Sequence, residues 1–115
     1  MNNKDILNKL TLAEKVKWTS GNTLWTMIGS ERLGIDEIIV ADGPHGVRAY
    51  KEKPGNGLLD DDIMAPSTMF PSAAGMASTF NESLLYMIGK AIGDECNHYQ
   101  VDVLLAPGMN LKRSP

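Results

Sequence analysis

The sequence predicts an α/β fold organised on a parallel sheet, and three observations carry that expectation. Short β-branched apolar runs alternate with capped, amphipathic segments. The runs lack polar alternation, which is the pattern of strands buried on both faces. Two of them end in polar loops bearing Gly and Pro, at the strand ends where parallel sheets bind ligands. The composition fits a globular chain: 115 residues, 43% hydrophobic and 22% charged. It excludes collagen-like, low-complexity and disulfide-scaffold proteins.

Taken in order, the first helix signal is Thr11-Leu12-Ala13-Glu14, a capping box in which Thr and Glu satisfy each other's free backbone N–H groups. A helix over 12–20 follows, with Leu12, Val16 and Thr19 on one face, Leu10 placed as a hydrophobic staple and Gly21 as the stop. A short helical turn over 5–9 precedes it. Residues 22–34 carry no long helix, because Gly29 and Gly34 interrupt the apolar positions. Glu37 to Ala41 then reads as a buried strand, ended by Asp42-Gly-Pro-His-Gly46.

Residues 43–68 show no period and form a long loop, a type that in compact folds is functional or disordered. Phe70 to Ser78, rich in Ala, Ser and Gly, reads as a buried strand. Asn81 is an N-cap for a helix whose stripe is Leu84, Ile88, Ile92 and Cys96. Val101 to Ala106 is a further buried strand, interrupted by Asp102 and stopped by Pro107-Gly108. Loop resumes from Asn110 to Pro115.

This order selects two rim segments, Asp42 to Arg48 and Pro107 to Arg113. Asp42 follows its strand without a spacer, so it is either an acceptor or acid–base group for a polar ligand or a cap on its own turn. Arg48 either binds a ligand or pairs with an acidic loop residue. Arg113, beside Lys112, is either an exposed loop cation or a planar fork of donors for vicinal hydroxyls or a carboxylate. Other candidates read as structural. His45 and His98 lack companions at metal-ligand spacing, so no metal is expected. Asp60-Asp61-Asp62 lacks the spacing of a calcium loop and reads as solvated. Trp18 and Trp25 read as packing residues, with Trp25 open to facing a sugar ring. Cys96 reads as a small core hydrophobe. No phosphate cradle or dinucleotide fingerprint is present, and no cofactor is expected.

The net charge of −3 argues against a nucleic-acid partner. No apolar run approaches the roughly 20 residues of a membrane span. The single cysteine and the absence of an apolar leader suit a cytoplasmic chain.

Five segments together carry a family resemblance: Leu10-Thr-Leu-Ala-Glu-Lys-Val16, Arg32-Leu-Gly-Ile35, Asp42-Gly-Pro-His-Gly-Val-Arg48, Phe70-Pro71 and Asn110-Leu-Lys-Arg-Ser-Pro115. In this order and spacing the sequence resembles the N-terminal part of bacterial β-glucosidases of glycoside hydrolase family 3. The resemblance implies an N-terminal segment of a TIM-type (β/α)8 barrel, incomplete in this chain, with residues 1–115 an N-terminal portion of the barrel domain. A complete barrel takes about 250 residues. It further implies hydrolysis of β-glucosides from the non-reducing end with retention, by two carboxyl groups about 5–5.5 Å apart.

By the family's pattern Asp42 and Arg113 bind the substrate, in the subsite holding the cleaved glucose. The nucleophile, the acid/base and a Lys-His pair match nothing within 1–115, so no catalytic residue is expected in this chain. The partners implied are a small-molecule β-glucoside or oligosaccharide, the rest of the barrel and the following domain. Alone, the segment is expected to be inactive and to leave strand edges and an apolar helix stripe uncovered. The alternatives are a non-catalytic sugar-binding or regulatory module, or an unrelated small α/β domain.

Overall fold

Two parallel strands place the candidate site. The computed structural model describes residues 2–51, 64–108 and 113. The expectations for Asp60-Asp61-Asp62, for Lys112 and for most of the Asn110–Pro115 block lie outside these residues. Strand β2 (Ile38–Asp42) pairs in parallel with β3 (Val103–Leu105), setting Val40 opposite Val103 and Asp42 opposite Leu105. Both chains therefore leave the sheet at the same rim, as expected for parallel neighbours.

The sheet is mixed rather than wholly parallel. A two-residue strand β1 (Thr26–Met27) pairs antiparallel with β2, through Thr26–Ile39 and Met27–Ile38. The Val40 N–H donates to the Trp25 carbonyl at 2.9 Å and extends that contact. Just beyond β1, Gly29 allows close approach to the chain before β2: a Cβ there would lie 2.3 Å from the Ile35 carbonyl oxygen. The chain then turns through a short 3-10 helix (Glu31–Leu33) that ends on Gly34 at φ 63°.

Helix α1 (Asn3–Lys9) is longer than the expected turn over 5–9, because Asn2 and Asp5 form a capping box at its start. Helix α2 (Leu12–Trp18) has the Thr11–Glu14 capping box read from the sequence. It stops before residue 20, where Thr19 and Ser20 donate to Val16 and Lys17 in tighter turns. Leu10 is buried at 4% exposure. The expected inner face is not covered by described residues: Leu12 is 78% exposed and Val16 61%.

The strand expected over Phe70–Ser78 is a helix instead, α3 (Ala73–Ala77). Small residues do not distinguish the two states by themselves. The Ser72 side chain accepts from the Gly75 N–H and starts the helix, and the alanines carry it at little entropic cost. Helix α4 (Glu82–His98) begins on Asn81, whose side chain accepts from the Leu84 N–H. It ends with Gln100 at φ 57°, the Val101 N–H donating to the Cys96 carbonyl and that of Gln100 to Asn97.

All of the α4 stripe but Leu84 reaches the core, with Ile88 half-buried against it. Ile92 and Cys96 are buried with Ala41, Val47, Ala49 and Val101, while Leu84 lies at the surface. The buried strand expected over Val101–Ala106 is the shorter β3, with Val103 and Leu105 exposed among the described residues. Asp102 stands just before it, and its carboxylate accepts from the Ile39 N–H at 2.8 Å.

Candidate functional site

Asp42 is the last residue of β2, half-buried at the rim, and the turn after it is closed by main-chain bonds. The Arg48 N–H donates to the Asp42 carbonyl at 2.9 Å, and the Gly46 N–H donates to the Gly43 carbonyl at 3.3 Å. Gly43 and Gly46 stand at φ 129° and 150°, conformations that L side chains rarely adopt. Among the described residues, the Asp42 carboxylate has no hydrogen-bond or ion-pair partner.

That carboxylate opens on a shallow depression of about 380 Å³, bordered by Pro44, His45, Arg48, Thr68 and Met69. One wall is the rim loop and the other is residues 67–69. Close main-chain approach holds the two together. The Phe70 N–H donates to the His45 carbonyl at 2.6 Å, and a Cβ on Gly46 would lie 2.3 Å from the Thr68 carbonyl oxygen. His45 adds a side-chain link, its Nε2 accepting from the Ala73 N–H at 3.0 Å. An imidazole nitrogen that accepts carries no proton, so the ring proton sits on Nδ1.

Helix α4 supports the far wall from behind. Glu95 accepts from the Thr68 N–H with both oxygens, at 3.1 and 3.3 Å, and the Tyr99 hydroxyl donates to the Pro66 carbonyl. Arg48 borders the depression while also having partners within the fold. Among the described residues Asp42 is the one carboxylate on this border, and it can accept hydroxyl protons in hydrogen bonds.

Arg113 is exposed, and no contact among the described residues joins it to Asp42. Trp25 stands away from this border. Its ring packs on Tyr50 with centroids 6.2 Å apart, and the Trp25 indole N–H and the Tyr50 hydroxyl are buried with no partner among the described residues. The Trp18 indole N–H donates to the Gly29 carbonyl and ties α2 to the loop before the 3-10 helix. His98 packs edge-on against Tyr99. Burial pushes the Cys96 thiol up from its ordinary pKa, with the Glu95 charge adding to the effect, which disfavours the reactive thiolate. No group of three or more His, Cys, Asp or Glu gathers to hold a metal among the described residues.

Local pattern located Asp42 and its loop but missed the far wall, which lies some 20 residues downstream in sequence. The only nearby signal was Phe70-Pro71, and it gave no hint that His45 grips that segment.

No family model matches the chain. Individual proteins do. The thermostable beta-glucosidase B of Acetivibrio thermocellus is 43% identical over 112 residues, covering 97% of this chain and 15% of that protein. An exo-alpha-(1->6)-L-arabinopyranosidase of Bifidobacterium longum is 43% identical over 107 residues, covering 92% and 14%. Among solved structures, a Kluyveromyces marxianus beta-glucosidase in complex with glucose superposes with a TM-score of 0.84 at 33% identity, over 100% of this chain and 13% of that one. The Bifidobacterium adolescentis GH3 beta-glucosidase matches at TM-score 0.73 and 39% identity, over 94% and 14%. The chain thus spans about one seventh of the length of the curated relatives it matches. By sequence and by fold, it belongs with the β-glucosidases of glycoside hydrolase family 3 and corresponds to an N-terminal part of them.

Proposed function

We propose that residues 1–115 furnish part of the barrel domain and part of the glucose-binding subsite of a retaining β-glucosidase. The observation that carries this reading is Asp42, a half-buried carboxylate at the end of a parallel strand, in a turn closed by main-chain bonds and with no side-chain partner among the described residues. A carboxylate so placed accepts charge-assisted hydrogen bonds from two hydroxyls of one sugar ring. Its task is to orient the ring, and bonds that tighten in the transition state add to the rate. Arg48, on the same border, joins the subsite as a donor, and Arg113 is assigned to it from the family resemblance.

The nucleophile and the acid/base come from the remainder of the barrel and the following domain, so this segment alone does not turn over substrate. No cofactor enters the reaction. The parallel β2–β3 pair and the likeness to solved β-glucosidases support the barrel assignment. Terminal β-glucosides are the first substrate class. The equally similar arabinopyranosidase makes a terminal pyranoside of a second sugar the alternative. Cytoplasmic placement rests on the single cysteine.

The test is proton NMR of an aryl β-glucoside during hydrolysis by the complete polypeptide that carries this segment. Release of β-glucose before mutarotation is the expected result, and release of α-glucose overturns the retaining assignment.

A further inference from the structure

We propose that Glu95, on α4 and outside the depression, is a positioning residue that sets where the far wall of the Asp42 subsite stands. This rests on the subsite reading above. Residues 66–69 belong to no strand, so ladder hydrogen bonds do not fix their place. Main-chain bonds from the Ala65 N–H to Ala49 and from the Phe70 N–H to His45 pin the two ends of this segment. Two side chains one turn apart, Glu95 near the end of α4 and Tyr99 at its C-cap, hold the stretch between. Glu95 holds the Thr68 N–H with both carboxylate oxygens, and Tyr99 holds the Pro66 carbonyl. Residues at i and i+4 share a helix face, so both grips come from one rigid surface.

Thr68 in turn determines the near wall. Its carbonyl oxygen packs against Gly46 so closely that no Cβ fits between them. Gly46 is four residues from Asp42 in the turn closed by the Asp42 and Gly43 carbonyls. The order of contact is therefore Glu95, Thr68, Gly46, then the turn that presents Asp42. Loss of the Glu95 carboxylate frees the Thr68 N–H and lets residues 67–69 shift, changing the width of the depression without removing any group that touches sugar.

The experiment measures glucose binding by calorimetry, KM and kcat on an aryl β-glucoside, and Tm, all on the complete polypeptide. For Glu95→Ala the glucose Kd and the KM rise about tenfold while kcat changes less, as a sub-ångström misplacement of a binding wall produces. Glu95→Gln, which retains one acceptor oxygen, shows a smaller rise of the same kind. A glucose Kd within about twofold of wild type in Glu95→Ala, whatever the Tm, overturns the positioning role. Should Glu95→Ala fail to fold, Glu95→Gln and Tyr99→Phe carry the test. A raised Kd at near-native Tm supports the role, and an unchanged Kd in both overturns it. Asp42→Asn is titrated alongside. If it binds glucose as wild type does, the subsite reading itself falls; if it weakens binding and the Glu95 variants do not, only the positioning role falls.

Discussion

Asp102 and Ile39 exchange two hydrogen bonds across the β2–β3 pair. The Ile39 N–H donates to the Asp102 carboxylate at 2.8 Å, and the Asp102 N–H donates to the Ile39 carbonyl at 3.0 Å. The bonds lie just before Val40 and Val103, where the ladder begins, and fix the register that sets Asp42 opposite Leu105. Asp102→Ala leaves the Ile39 N–H without its acceptor and is expected to cost about 1 kcal/mol. Urea denaturation of the complete polypeptide checks this as a lower midpoint at unchanged slope. An unchanged midpoint assigns no stabilising role to the contact.

Gly43 and Gly46 shape the turn that exposes the Asp42 carboxylate. A Cβ would sit 1.9 Å from the Gly46 oxygen in the first case and 2.3 Å from the Thr68 oxygen in the second. Both obstacles are backbone atoms, so the chain itself must move. Gly43→Ala and Gly46→Ala are each expected to destabilise by about 1–3 kcal/mol and to weaken glucose binding. Wild-type glucose affinity in both variants contradicts the geometry assigned to the turn.

Glu14, on α2, gives a pH signature apart from the proposed subsite. Hydrogen bonds from Arg32, and then from the Thr11 N–H, hold its carboxyl down from 4.5 to about 2. A carboxyl depressed by folding stabilises the native state fully above its unfolded pKa. That contribution shrinks as pH falls below about 4.5 and is gone once pH passes below about 2. Carbon-detected NMR titration should find the Glu14 carboxyl still ionised at pH 3. Arg32→Met should return it toward the ordinary glutamate range, and an ordinary value in the wild type contradicts the pairing.

The legible parts of the fold are those in which the deciding contact lies within a few residues. The Thr11–Glu14 box, the Asn81 cap and the β-branched run of β2 are of this kind; the two caps stand where the local pattern puts them, and β2 is displaced by one residue, from 37–41 to Ile38–Asp42. Residues 70–78 misled because their small side chains suit strand and helix alike, and the choice fell to one Ser72 oxygen. The antiparallel β1 gave no period to read, being two residues long. At the site, Asp42 was legible from strand and turn. The Glu95–Thr68 and His45–Ala73 contacts were not, since they join residues 27 and 28 positions apart.

The central claim is that Asp42 holds the sugar whose bond is broken. Its most direct measurement is kcat/KM for an aryl β-glucoside with Asp42→Asn in the complete polypeptide, with circular dichroism confirming an unchanged fold. Replacing a carboxylate acceptor by an amide weakens charge-assisted bonds worth about 1.5–3 kcal/mol, so kcat/KM is expected to fall about tenfold to a hundredfold. A value within about twofold of wild type contradicts the claim.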